Sequence, residues 1–149
     1  MVKLRIVLPE CSWHSFKAET VWATMLEDNL YRLENTPFFA DNVSYHDIVF
    51  AWYDEERDAL IVKSVQQRSG NSTFRIILAD GIPYETFCTA IEKAQQPGCT
   101  YEGYKNYQFA LNIPPAVDVK DVIAVLKDGE KAGTWYFEPS HVFDAGEQL

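Results

Sequence analysis

The first half of the chain alternates apolar and polar residues with the period of two that half-buried β-strands show. Residues 2–9 follow this alternation. Residues 16–33 read most easily as two strands around a turn, with a helix as the competing interpretation. Residues 34–47 predict an ordered loop, and residues 48–67 predict a hairpin with a charged tip. We therefore expect residues 1–68 to form a small curved antiparallel β-sheet or a partial barrel.

The second half mixes strand patterns with the 3.6-residue periodicity of helices. Its segments have the order strand, helix, hairpin, helix, strand, over residues 73–80, 82–98, 100–114, 117–133 and 134–142. This βαββαβ order is that of a ferredoxin-like unit. The apolar stripes predict a core that contains Phe87, Ile91, Phe109, Leu111, Val122, Ile123 and Leu126.

No linker rich in Gly, Ser or Pro separates the two halves. The chain, residues 1–149, is therefore predicted to be a single compact α+β domain with a β-rich part (1–68) and a ferredoxin-like part (72–141). Ser69-Gly70-Asn71 joins them. A strand pattern follows this glycine, whereas phosphate loops and nucleophile elbows lead into a helix, so the segment is predicted to be a turn.

The charge balance changes the range of possible partners. With 22 acidic and 13 basic residues the net charge is −9, and no cluster of Lys and Arg occurs. Binding to phosphate backbones rests on the opposite sign, so we expect no nucleic acid as a partner, and the same charge favours a basic one. Three cysteines without a C-x-x-C pair fit a reducing compartment, and no apolar run is long enough to cross a membrane. These features predict a cytoplasmic protein without a membrane partner.

Two short motifs could carry chemistry. Ser44, His46 and Asp47 suggest a triad, but on an extended segment His46 and Asp47 point to opposite faces. Cys11 and His14 form half of a zinc motif without a second close pair. We therefore expect no catalytic residues, no metal site and no cofactor.

Several strings resemble one bacterial family. "AETVWATMLEDNLYRLENTPFFADNVSYHDIV", "SGNSTFRI" and "GTWYFEPSHV" are similar to the family catalogued as domain of unknown function 4265, and the similarity runs from Val2 to His141. "NTPFF" and "VSYHD" are the most specific parts. This family has no catalytic residues to carry over. The resemblance implies a small bacterial protein, and relatives of this size often look like immunity proteins of toxin–immunity systems.

The leading functional hypothesis is a non-enzymatic immunity protein that binds and inhibits a cognate toxin domain, with a basic nuclease among the candidate toxins. Such a partner is expected to contact the acidic hairpin tip and an aromatic anchor, namely Asp54, Glu55, Glu56, Asp58 and Trp13. The alternatives are a regulatory adaptor of an RNA-processing enzyme and a small enzyme or ligand-binding protein. The last would use a pocket formed by the loops Asn35–Asp47 and Ser69–Arg75, through Asn35, Ser44, His46, Ser72, Thr73 and Arg75. The oligomeric state is left open.

Overall fold

A computed structural model describes residues 1–11, 13–95, 97–147 and 149. It is an α+β structure with mostly antiparallel sheets and two helices. The first half contains five strands: β1 (Val2–Val7), β2 (Ala18–Glu27), β3 (Leu30–Leu33), β4 (Ile48–Asp54) and β5 (Ala59–Gln67). The second half contains β6 (Ser72–Leu78), α1 (Tyr84–Gln95), β7 (Thr100–Tyr104), β8 (Gln108–Ile113), α2 (Val119–Lys131) and β9 (Trp135–His141).

The first five strands form a closed barrel. Consecutive strands pair antiparallel, and the barrel closes through a parallel contact between β1 and β5 at Arg5 and Ile61. The sequence predicted an antiparallel sheet or a partial barrel, and it did not predict this parallel closure. Patterns within single strands carry no signal for a contact between two strands some 50 residues apart, because that contact depends on how strongly the sheet coils.

The segment with two competing interpretations forms strands rather than a helix. Val21 and Ala23 are buried in the barrel core, whereas Thr20, before them, and Trp22, between them, are exposed. This is the period of two, and it decides against the helical stripe that the same residues could form. Asn29 makes the turn between β2 and β3 with a φ of 66°, a conformation that Asn adopts more readily than most residues.

The remaining strands form one sheet in the order β7-β8-β6-β9, with every neighbour antiparallel. Both helices contribute to the core cluster on one face of this sheet. Asp118 caps α2, since its side chain accepts a hydrogen bond from the Lys120 amide at 2.9 Å. The predicted core residues are buried except Ile123, which is partly buried at the edge of the cluster.

The other face of this sheet is also buried along its two central strands. Thr73 and Arg75 on β6 and Gln108, Ala110 and Asn112 on β8 are each less than a tenth exposed. Loops from the barrel half cover this face, so the two halves meet here. The sequence predicted one buried face for β8, and the second was not foreseen because the covering segment is distant in the chain.

The joint between the halves is a turn, as predicted. The Ser69 hydroxyl donates to the Tyr45 carbonyl at 2.7 Å, and the Asn71 amide donates to the same oxygen at 3.1 Å. Gly70 has a φ of 94°, and a side chain there would come within 2.9 Å of Pro115. Among the described residues, neither helix is long and apolar enough to cross a membrane.

Candidate functional site

The loop between β3 and β4, residues 34–47, is called the barrel loop below. A set of largely buried polar side chains lies where this loop meets β6 and β9. We call Ser44, Thr73, His141 and Glu147 the junction cluster. The Ser44 hydroxyl is 2.7 Å from the Thr73 hydroxyl and 3.0 Å from Nδ1 of His141. Nε2 of His141 lies 3.2 Å from a carboxylate oxygen of Glu147. The four side chains therefore form one continuous chain of hydrogen bonds between the two halves.

A second set of bonds holds the loop that carries Ser44. The fully buried Asp47 carboxylate accepts hydrogen bonds from the amides of Ser44 and Ser69, each at 2.9 Å. Arg68 donates to the same carboxylate at 3.0 Å and to Glu147 at 2.7 Å. Burial alone would raise the pKa of Glu147, but the hydrogen bonds from His141 and Arg68 outweigh it and hold that pKa below its ordinary value.

The order hydroxyl, imidazole, carboxylate in the junction cluster is the order used in nucleophilic catalysis. The surroundings differ from those of an active serine. Ser44 and Thr73 have no exposed surface, and the Ser44 hydroxyl already contacts both Thr73 and His141. A substrate atom cannot approach Ser44 in this conformation, so the cluster as it stands connects the two halves rather than facing solvent.

Arg75 on β6 is a buried cation on the sheet face that the barrel loop covers, with 4% of its side chain exposed. Its guanidinium donates to Glu138 at 2.9 Å, to Asp41, and to the carbonyls of Phe38 and Phe39 at 3.4 and 3.3 Å. The ring of Trp13 lies 5.1 Å from it, within the range of a cation–π contact. Because Arg75 lies on β6 and donates to Phe38, Phe39 and Asp41 of the barrel loop, it links this loop to the sheet.

The remaining residues of the alternative pocket do not converge with Ser44, Thr73 and Arg75. Asn35 accepts from the Trp22 amide at 2.7 Å and donates to Glu102 at 3.1 Å. His46 lies 3.2 Å from Glu34 and stacks on Tyr45, so it does not contact Asp47 as a triad would require. Ser72, on the strand position before Thr73, accepts a bond from the amide of Phe143 at 2.9 Å. The structure thus brings Ser44 and Thr73 together in the junction cluster, with Arg75 two positions along β6, and leaves Asn35, His46 and Ser72 outside the cluster.

The acidic tip joins β4 to β5, as the hairpin pattern predicted. Two of its acids are used within the turn: Asp54 accepts from the Arg57 amide at 3.1 Å and from its guanidinium at 3.0 Å, and Asp58 accepts from the Tyr53 hydroxyl. The Arg57 amide is the main cause of the lowered pKa of Asp54, and the bond to Asp58 raises the pKa of Tyr53. Glu55, Glu56 and Asp58 are exposed, and the bonds that hold the turn involve the side chains of Asp54 and Asp58 but not those of Glu55 and Glu56.

Trp13 belongs to an aromatic group beside Arg75. Its ring centroid lies 5.4 Å from that of Phe39, and Phe16 lies 4.7 Å from Phe39 on the other side. Tyr104 on β7 meets Phe39 edge to face at 5.7 Å. Together with Ile77 and Gln108 these rings line a cleft of about 360 Å³, which we call the aromatic cleft.

The two residues of the half zinc motif make local contacts. The Cys11 thiol points to the His14 carbonyl at 3.9 Å, and Nδ1 of His14 accepts from the Phe16 amide at 3.1 Å. No group of three His, Cys, Asp or Glu side chains is placed to hold a metal ion within the part of the chain that the structure describes. Cys99 is the most buried of the three thiols, and this burial raises its pKa to about 11.

His141, Glu147 and Gln108 were not among the site residues predicted from the sequence. His141 and Glu147 complete the junction cluster, and Gln108 lies in the aromatic cleft. The C-terminal histidine carried no local motif, because its partner Ser44 is 97 residues away. A usable signal existed for Gln108: it is a polar residue on the opposite side of a strand that alternates Phe109, Leu111 and Ile113.

Comparison with known proteins gives a family and a fold. The family model described as Domain of unknown function (DUF4265) matches residues 19–137. A crystal structure described as that of a hypothetical protein from Neisseria gonorrhoeae aligns with a TM-score of 0.79 at 21% sequence identity, covering 96% of this chain and 96% of that chain. Likeness at this level of identity shows the fold alone. No curated protein matches the chain.

Proposed function

The chain belongs to the DUF4265 family, and we propose that it is a non-enzymatic immunity protein, which binds a cognate toxin domain in the cytoplasm and blocks it stoichiometrically. The observation that carries the proposal is the burial of the reactive groups. Ser44, Thr73 and His141 are each less than a tenth exposed and are bonded to one another. These groups serve the connection between the halves, which leaves the outer surface as the part that meets other molecules.

The charge of that surface supports a basic partner. The net charge is −9, and several of the basic side chains are occupied by ion pairs, including Arg32, Arg57, Arg68 and Arg75. Exposed acids such as Glu55 and Glu56 form no ion pair with these four arginines. An acidic surface attracts a toxin with a basic cleft and accelerates the encounter, as required of an inhibitor that must act quickly.

We also propose that the second half is a ferredoxin-like unit that acts as a rigid support. The strand order β7-β8-β6-β9, with one helix after the first strand and one after the third, supports this assignment. A crystal structure with α1 and α2 on opposite faces of the sheet would contradict it.

The test of the immunity function is a titration against the C-terminal domain of the polypeptide encoded immediately upstream. Toxin activity should fall linearly and reach its minimum near one molecule of this protein per toxin, and the association rate should fall as salt rises, because exposed charges are screened beyond about 8 Å at physiological ionic strength. Inhibition complete far below equimolar amounts would indicate turnover and contradict the proposal.

The contribution of the acidic tip is tested with a charge-reversed pair. Glu55→Lys with Glu56→Lys leaves the turn bonds of Asp54 and Asp58 in place, so the hairpin should keep its structure. The matched control, Glu92→Lys with Glu130→Lys, makes the same change in charge on the exposed sides of the two helices. The tip variant should slow association about tenfold more than the control. Equal effects would mean that the tip is not the contact surface.

A further inference from the structure

The aromatic cleft contains a polar group that the fold leaves without a partner. Gln108 is 4% exposed, and the described residues provide no hydrogen-bond partner for its side-chain Nε2. A buried polar group in this state costs free energy, and such exceptions concentrate at sites where another molecule completes the bonding. Gln108 also lines the cleft, so a ligand that enters the cleft and shifts the side chains covering this buried amide would complete its bonding.

The position of Gln108 follows from the register of the sheet. Gln108 on β8 lies between Ile77 on β6 and Tyr104 on β7, and Ile77 and Tyr104 line the cleft with it. These three side chains form its floor, on the face that does not carry the helices. Trp13, Phe16 and Phe39 from the barrel half form the wall beside it.

The remaining charge at the cleft is positive. Lys105 belongs to the lining, and its ammonium lies 5.4 Å from the centroid of the Tyr104 ring, at the rim. No carboxylate occurs among the described lining residues. The cleft therefore offers flat aromatic surfaces, one primary amide, the polar side chains of His14 and Ser15, and one cation at its edge.

We propose that the aromatic cleft binds the base of a small nucleoside monophosphate. A primary amide presents a donor beside an acceptor, and the edge of a nucleobase presents the complementary pair, which is how Gln pairs with adenine. Bases stack on aromatic side chains in sites of this kind. Lys105 is placed to contact the phosphate, and a volume of about 360 Å³ lies within the range of small-molecule sites. This site does not depend on the proposed immunity function, and each can fail without the other.

The net charge bears on whether the bound base belongs to a free nucleotide or to a nucleic acid. The charge of −9 opposes a long phosphate backbone much more than it opposes a single phosphate. We therefore infer a free nucleotide rather than a base within a nucleic acid.

The experiment is calorimetric titration of the full chain with AMP, GMP, CMP and UMP, their nucleosides, ribose 5-phosphate and a single-stranded oligonucleotide. At least one monophosphate should bind, its nucleoside should bind more weakly, and ribose 5-phosphate should not bind. Absence of binding by every monophosphate up to about 1 mM would overturn the proposal, since stacking and one amide pair should give more than that affinity. Binding of the oligonucleotide alone would overturn it as well.

Two variants assign the roles. Gln108→Leu keeps the volume and removes the amide, so monophosphate and nucleoside should both bind about tenfold more weakly. Its melting temperature should not fall, because the substitution removes an unpartnered polar group. Lys105→Gln should weaken the monophosphate and leave the nucleoside unchanged.

Tyr136→Ala is the matched control, since Tyr136 pairs with Ile77 in the same row of the sheet but is not part of the lining. Its affinities should equal those of the unaltered protein. Unchanged binding in a folded Gln108→Leu protein would place any nucleotide site elsewhere and would contradict the assignment.

Discussion

At the scale of single residues, side chains that look like ordinary surface residues in the sequence hold distant backbone in place. Glu19 on β2 is 8% exposed, and its carboxylate accepts hydrogen bonds from the amides of Phe38, Phe39 and Ala40 at 2.6, 2.9 and 3.0 Å. These three amides belong to the loop that covers the sheet. The carboxylate thus serves as an anchor for a loop twenty residues away.

Glu19→Ala is expected to destabilise the protein by about 1–3 kcal/mol, because it leaves the buried amide of Ala40 and the partly buried amides of Phe38 and Phe39 without an acceptor. The free energy of unfolding is measured by urea denaturation, and hydrogen exchange at Phe38, Phe39 and Ala40 should become faster. Glu27→Ala, at the exposed end of the same strand, is the control and should change the free energy by less than about 0.5 kcal/mol. Equal losses for the two variants would contradict the anchoring role.

Gly129 in α2 lies directly against the ring of Trp135. A Cβ at this position would lie 2.2 Å from a ring atom of Trp135, which is buried and donates from its indole to the Leu126 carbonyl at 2.8 Å. Gly129→Ala raises helix propensity by about 1 kcal/mol, but the clash with a rigid ring is expected to reverse the sign and destabilise by roughly 1–3 kcal/mol. Thermal unfolding measures this, with Glu130→Ala on the exposed side as the control. A stabilised Gly129→Ala protein would show that the ring can move.

At the scale of elements, α2 illustrates how one stripe of residues attaches a helix. Leu126 and Val122 are almost fully buried in the cluster beneath the helix. Leu126→Ala should lower the free energy of unfolding by about 2–5 kcal/mol through lost burial and the cavity that remains. The exposed neighbour Lys127 provides the comparison, since Lys127→Ala should cost less than about 0.5 kcal/mol. A small loss at Leu126 would mean that the helix packs on another face.

The segment after β9 is attached by charge, and its stability should depend on pH. The folded-state pKa of Glu147 lies below its ordinary value of 4.5, so the ionised form stabilises the folded state. This contribution is fully present above that ordinary value and is lost as pH falls through the lower folded-state pKa. Glu147→Gln should therefore lower the melting temperature at pH 7, and the difference from the unaltered protein should shrink below about pH 4. A difference that stayed constant with pH would indicate that packing, not charge, holds the segment.

At the scale of the whole molecule, the two halves are joined through buried polar contacts rather than through one shared apolar core. Separate apolar clusters occupy the barrel and the second half. Arg75 and the Ser44–Thr73 contact link them, and Glu102 on β7 accepts from the Thr36 amide and from Asn35. Bonds of this kind are directional, so they define the relative position of the halves more closely than an apolar contact would.

Arg75→Ala tests this coupling. The unaltered protein should unfold in one calorimetric transition, and the variant should be less stable by about 1–3 kcal/mol, because the Phe38 and Phe39 carbonyls lose their donor. Its ratio of calorimetric to van't Hoff enthalpy should rise above one as the halves begin to unfold separately. Lys93→Ala, on the exposed side of α1, should leave this ratio unchanged. A single transition in Arg75→Ala would show that other contacts suffice to couple the halves.

The sequence by itself determined most of the elements and the class of the fold. Periods of two and of 3.6 residues located the hairpin of β4 and β5, both helices and the buried stripe with Phe87, Ile91 and Leu126. Local turn chemistry placed the joint at Gly70. These features follow from residues that are neighbours in the chain, because local periodicity and backbone preference suffice to specify them.

Only the tertiary structure decided which polar residues meet. It closed the barrel by a parallel contact, covered the second face of the sheet with the barrel loop, and brought His141 to Ser44. It also placed the ring of Trp13 beside Arg75. Such encounters depend on the coiling of the sheet and on the path of loops between elements, and the energy that selects them is shared among contacts many residues apart. A single sequence records the participants of these contacts but not their pairing.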